Sequence, residues 1–196
     1  MPTHHTISQR LFIERISTAT GIMLLLTDEQ DQLRALDWED HEARMHRLLG
    51  LHYGAAATAI EPAARVSSAR LAIEAYFAGE RSAIDAVRVQ TGGTAFQRAV
   101  WKALRAIPLG EITTYGQLAA KVERPRAVRA VGLANGANPV AVVVPCHRVI
   151  GADASLTGYA GGIERKRWLL QHEGTHLPAS RAWRGLGGRQ SAFAYA

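Results

Sequence analysis

The sequence predicts an α+β chain in two parts: an N-terminal part built on a small antiparallel sheet with helices, and a mostly helical C-terminal part with a helix-turn-helix. Three observations lead there. Strand-like runs crowd the stretch before Trp38, whereas helix-period patterns with clear caps dominate from Thr94 onward. Thr91-Gly92-Gly93 marks the break between them. Charge changes sign at the same place: residues 1–92 carry nine Arg and no Lys against twelve Asp and Glu, and residues 93–196 carry fourteen Lys and Arg against five Asp and Glu. A basic half joined to an acidic half suits a polyanion such as nucleic acid, and a merely soluble basic surface would give the same count.

In the N-terminal part, Arg10 to Ser17 and Gly21 to Thr27 read as strands separated by Thr18, Ala19 and Thr20, a hairpin closing at Gly21. Leu33 to Trp38 adds a third strand. Glu39 to Leu51 is rich in helix formers, with Met45, Leu48 and Leu49 on one face, and a second helix runs from Ser67 or Ser68 to Ala78, stopping at Gly79. No residue pattern here suggests chemistry, so this part is expected to be a scaffold.

Thr94, Ala95, Phe96 and Gln97 fit a capping box, in which each end side chain satisfies a free backbone amide of the other. The helix it opens presents Phe96, Val100, Trp101, Leu104 and Ile107 on one face and ends at Pro108 and Gly110. That spacing assigns the aromatic pair to the core rather than to base stacking. Thr114 caps a helix through Val122, Glu123 to Pro125 breaks it, and Ala127 to Ala134 forms a second short helix. Lys121, Arg124, Arg126 and Arg129 surround the pair. Small residues at Ala127, Ala130 and Gly132 would let a phosphate backbone approach; a purely structural helical hairpin with a solvated basic face fits the same pattern. Asn138-Pro139 ends the second helix, and Val140 to Val144 is expected to run extended into Pro145-Cys146-His147-Arg148-Val149. A glycine-rich loop, Gly158 to Gly162, precedes an amphipathic helix from Ile163 to Glu173.

Composition excludes several classes. With 47% hydrophobic and 20% charged residues over 196 positions, the chain is an ordinary globular protein of one domain or two small ones. Its longest apolar stretches, such as Ile22 to Leu26, fall far short of the roughly 20 residues a membrane helix needs. No signal-peptide pattern opens the chain, and a cytoplasmic location is expected. Cys146 is the single cysteine, so an intramolecular disulfide and a multi-cysteine zinc site are both excluded. His41, His46 and His52 are too irregularly spaced to hold a metal, and His172 with His176 straddles a helix end; neither a metal nor a cofactor is expected.

The chemistry centres on Cys146. A thiol with a pKa of about 8.5 is only a few per cent ionised at neutral pH unless a base or cation assists it. His147 is adjacent and Glu173 is the best acid to orient it, though an isolated cysteine is commonly an inert core residue.

Pro145-Cys146-His147-Arg148-Val149 resembles the active-site signature of the O6-alkylguanine-DNA alkyltransferases, also called methylated-DNA–protein-cysteine methyltransferases. Gly93 to Gln97 with Trp101, Gly110 to Tyr115, Arg129 to Gly132, Asn138-Pro139, Gly158 to Gly162 and Trp168 to Gly174 fall at similar spacing. The resemblance covers roughly residues 8–178 and is nearest to bacterial Ogt-type members. It implies an RNase H-like N-terminal domain at 1–92 and a winged-helix-like alkyltransferase domain at 93–178, followed by an extension at 179–196. It implies irreversible transfer of an alkyl group from O6 of guanine, and less generally O4 of thymine, to Cys146.

By the same resemblance, His147 accepts the thiol proton through a water, Glu173 holds its tautomer, Tyr115 donates to the departing purine and Asn138 fixes the cysteine turn. Tyr159, Val149 and Ala160 line the base pocket, and Lys166 favours the thiolate. Arg129 replaces the extruded nucleotide in the stack, with Ala127, Ala130, Tyr115 and Arg126 at the DNA. The implied partner is duplex DNA with alkylated bases; no membrane or obligate protein partner is implied, and self-association on DNA is left open. Ala141 and Ala160 stand where some members have proline and serine, so the pocket differs in shape. Arg181, Arg184 and Arg189 lie in a tail read as solvated rather than DNA-bound. A lesion-binding relative without transfer, or a cysteine hydrolase, would be the competing readings; the first lacks an acceptor cysteine, and the second needs an oxyanion hole that the sequence does not place.

Overall fold

The computed structural model describes residues 9–54 and 58–175. The tail arginines and the extension at 179–196 lie outside the described residues. Four strands form the main sheet: β1 (Gln9–Thr18), β2 (Gly21–Thr27), β3 (Leu33–Trp38) and, after α1 (Glu42–Tyr53), β4 (Thr58–Pro62). Their spatial order is β3-β2-β1-β4. The β1–β2 hairpin pairs Thr18 with Gly21 and Phe12 with Thr27. Gly21 adopts φ 111°, which explains a glycine at that corner. β4 corrects the all-antiparallel expectation, since it joins β1 in parallel. It is only five residues long and ends in Pro62, which an edge strand tolerates because one side needs no donor.

Both faces of the sheet are covered, and this explains the unbroken apolar run in β2. Met23 and Leu25 face one core; Leu24 and Leu26 face the other, against Met45 and Leu49 of α1. The first core continues through Ile73 and Tyr76 of α2 (Ser68–Phe77), Val100, Trp101 and Leu104 of α3 (Ala95–Arg105), and the valines before Cys146. The outer edge of β3 is also occupied: Leu36 N donates to Pro139 O at 2.9 Å and Ala141 N to Leu36 O at 2.8 Å. The two parts of the chain thus share backbone hydrogen bonds and one apolar core.

In the C-terminal part, both sides of the capping box are made at Thr94 and Gln97, opening α3. A second one, at Thr114 and Gln117, opens α4 (Tyr115–Lys121) directly after the two-residue strand β5 (Thr113–Thr114). Glu123 turns the chain at φ 57° before α5 (Val128–Gly136). A short 3-10 turn at Cys146–Arg148 leads into β6 (Val149–Ile150), which pairs in parallel with β5, and α6 (Ile163–His172) closes the fold.

Candidate active site

The segment before Cys146 overturns one expectation. Residues 140–144 form a turn instead of an extended run, with Val142 at φ 66°, a backbone region that β-branched side chains rarely adopt. Asn138 holds it there. Its Nδ2 donates to Val140 O (3.2 Å) and Val144 O (2.8 Å), while its Oδ1 accepts from Val140 N (3.0 Å). Such strain persists only where its surroundings over-determine it. The same Nδ2 lies 3.1 Å from Cys146 Sγ, so Asn138 both shapes the turn and donates to the sulfur.

Cys146 is 7% exposed, so the base pocket expected beside it is nearly closed. Burial pushes its thiol pKa up, against the Asn138 hydrogen bond and the charges of Arg44 and Lys166, which pull it down. The resting sulfur is therefore a neutral thiol in need of a base. His147 is adjacent and completely buried, and burial lowers its pKa despite the opposing influence of Glu173, leaving a neutral ring. Its Nε2 meets Glu173 Oε1 at 2.9 Å, which fixes the proton on Nε2 and leaves Nδ1 as the acceptor. Nδ1 is buried without a hydrogen-bond partner. Among the described residues, no hydrogen bond joins the Cys146 and His147 side chains directly.

Glu173, at the end of α6, gathers more donors than expected. Arg148 Nε reaches Oε2 at 2.8 Å and Nη2 reaches Oε1 at 2.9 Å, while Tyr76 Oη donates to Oε1 at 2.9 Å. Burial alone would raise the Glu173 pKa; the His147 ring and the Arg148 guanidinium more than reverse this and hold it well below the usual carboxylate range. Lys166 is also buried. Its Nζ donates to Val149 O (2.6 Å) and Thr157 O (2.9 Å), and burial brings its pKa down to about 8 against the pull of Cys146. It thus pins the loop after β6 and places a cation near the sulfur.

Tyr115, the first residue of α4, is half-buried, and its hydroxyl lies 3.5 Å from Thr157 O and 3.4 Å from Gly158 O. These contacts are at the long limit of hydrogen bonding. Gly158 is required here, at φ 64°, because a Cβ would come within 2.9 Å of that hydroxyl. Tyr159 is buried, with its ring edge-on to His147 at 6.4 Å. Val149 is fully buried and Ala160 half-buried. On the helix-turn-helix, Arg126, Arg129 and Ala130 are exposed and Ala127 is half-buried.

The N-terminal part, expected to be a scaffold, also places side chains against these residues. Tyr76 belongs to α2, and Arg44 of α1 pairs with Asp37 while its Nη2 donates to Gly136 O (2.7 Å) and Asn138 O (3.0 Å). Sequence reasoning missed Tyr76 and Arg44, and missed Arg148 as a partner of Glu173. Only Arg148 left a signal: an arginine leading into the apolar Val149-Ile150 needs an acid if it is buried, and the C-terminal part has just five.

Comparison with known proteins agrees with this geometry. The family model "6-O-methylguanine DNA methyltransferase, DNA binding domain" matches residues 95–175. The chain is 52% identical over 165 residues to the methylated-DNA–protein-cysteine methyltransferase of Salmonella typhimurium, covering 84% of this chain and 96% of that protein. It superposes on Mycobacterium tuberculosis O6-methylguanine methyltransferase with a TM-score of 0.68 at 40% identity, over 87% of this chain and 96% of that one. The OGT of the same organism in complex with DNA gives a TM-score of 0.66 at 40% identity, over 84% and 91%. The chain belongs to the methylated-DNA–protein-cysteine methyltransferase family.

Proposed function

We propose that this chain repairs alkylated duplex DNA by direct reversal, moving the alkyl group from O6-alkylguanine, and from O4-alkylthymine, onto Cys146. The observation that carries the reading is Cys146 held by Asn138 beside a histidine whose Nδ1 is buried without a hydrogen-bond partner. The alkyl carbon is saturated, so the step is an in-line displacement. The Sγ–C bond forms as the C–O6 bond breaks. The thiol proton passes through a water to His147 Nδ1, Glu173 steadies the imidazolium, and Tyr115 donates a hydrogen bond to the departing purine, which takes up the proton that the imidazolium then releases through water. In the net reaction the thiol proton replaces the alkyl group on the base. The thioether is stable, so each molecule acts once.

A base inside duplex DNA must leave the stack before Cys146 can reach it, at a cost of a few kcal/mol. Arg129 fills the gap, Ala127 and Ala130 allow close approach, and Arg126 meets phosphate. Separating Tyr115 from Thr157 and Gly158 opens the pocket formed with Tyr159, Val149, Ala160 and Lys166, and the two long contacts make that separation inexpensive. We assign residues 1–92 to an RNase H-like domain and 93–178 to a winged-helix-like one, acting without an obligate protein partner in the cytoplasm. Incubation with a duplex labelled at the methyl of O6-methylguanine tests the reading. Label retained on the protein, at most one per chain and absent in Cys146→Ser, supports it; label left on DNA or released catalytically to water contradicts it.

A further inference from the structure

We infer that Tyr76, in the N-terminal part, is a positioning residue of the Cys146 relay, fixing Glu173 so that His147 keeps its proton on Nε2 and Nδ1 free. This rests on the proposed alkyl transfer for its purpose, though not for its test. The geometry is specific. Tyr76 is completely buried and 97 positions from Glu173 in sequence, yet its hydroxyl donates to Oε1, the same oxygen that meets His147 Nε2. Oε1 thus accepts from three donors, each at 2.9 Å, and Oε2 accepts from Arg148.

Each donor on that oxygen does two things. It restricts where the carboxylate can turn, and it withdraws negative charge from the atom that would otherwise stabilise a protonated imidazole. The groups facing this cluster come from several elements: Arg148 and Cys146 from the 3-10 turn, Lys166 and Glu173 from α6 and its end, Tyr159 from the glycine-rich loop, and Arg81, whose charge acts on Tyr76 from just beyond α2. Arg148 already neutralises Glu173. Tyr76 adds a neutral donor that tightens the geometry without adding charge, so that Oε1 stays turned toward His147 Nε2. The tyrosine backbone is itself anchored, since His172 Nε2 meets Tyr76 O at 2.7 Å.

Removing only the hydroxyl in Tyr76→Phe leaves the ring packing and strips one donor from Oε1. The imidazolium is then better supported, and the His147 titration moves upward. Nitrogen NMR of the imidazoles in the intact, unreacted chain reads this directly, together with the tautomer. The wild type is expected to show a single Nε2–H form, and Tyr76→Phe a raised midpoint with a mixed tautomer. Ile73→Val, in the same buried face of α2, is the control for packing loss: it should lower the melting temperature without altering either reading. A His147 midpoint and tautomer in Tyr76→Phe that match the wild type would overturn the inference. Because no transfer is needed for the measurement, a failed alkyl-transfer assay and a failed Tyr76 test remain distinguishable.

Discussion

Five arginines of the N-terminal part and the cations of α3 to α5 are used in opposite ways. In the N-terminal part Arg10 pairs with Glu61, Arg15 with Glu39, Arg34 with Asp28, Arg44 with Asp37 and Arg70 with Glu74. On α3 to α5, by contrast, Arg98, Lys102, Arg105, Lys121, Arg124, Arg126 and Arg129 are all exposed, and none lies within ion-pair distance of a carboxylate among the described residues. Exposed ion pairs contribute little stability, so leaving cations unpaired costs the fold little. It leaves them available to displace counterions from a phosphate backbone, which is worth far more. The net charge of the chain conceals this division, and the pattern of pairing reveals it.

The largest expected effect is at the sulfur. Cys146→Ser should abolish transfer while leaving duplex binding intact, because the cations on α3 to α5 are untouched; parallel transfer and gel-shift assays check this. Glu173→Gln should follow. It strands Arg148 as a buried, uncompensated charge, a loss of about 3–5 kcal/mol, readable as a fall in the midpoint of urea unfolding. Glu173 also sets an acid limit on stability. Its folded pKa lies below its ordinary 4.5, so its contribution is complete above that value and is lost as pH falls through the lower, folded one. His147, buried and neutral with a folded pKa below 6.5, adds a cost that begins as pH falls below 6.5. Thermal melts should therefore decline in two stages on acidification, and Glu173→Gln should lose the lower one.

Those consequences bear on what the sequence discloses. Thr94 with Gln97, and Thr114 opening the next helix, were legible because a capping box is local and its chemistry is written in four residues. The pairing of His147 with Glu173 was legible because an imidazole asked to act as a base needs an acid to hold its tautomer. The 140–144 turn was not, because a run of alanine and valines reads as strand, while the Asn138 side chain and the turn's own backbone hydrogen bonds bend it. The partnership of Tyr76 with Glu173 is a product of folding alone, since nothing near Tyr76 in sequence marks it.

Smaller effects separate the cationic surfaces. Arg129→Ala should slow transfer from duplex DNA by roughly tenfold or more, given extrusion costs of a few kcal/mol, while leaving transfer from a free base analogue unchanged. Equal losses on both substrates would remove its role in extrusion. Arg126→Ala should lower the slope of log affinity against log salt by about one, as loss of one phosphate contact requires. Arg15→Ala, its counterpart in the N-terminal part, should change neither the slope nor stability by more than about 0.5 kcal/mol. Fluorescence anisotropy across a salt series measures both.

Intact-mass spectrometry after incubation with excess O6-methylguanine duplex examines the central claim most directly. The expected result is a gain of one methyl per chain that never increases, located by peptide mapping on Cys146. An unmodified chain alongside demethylated DNA, or a methyl group on any other residue, would contradict it.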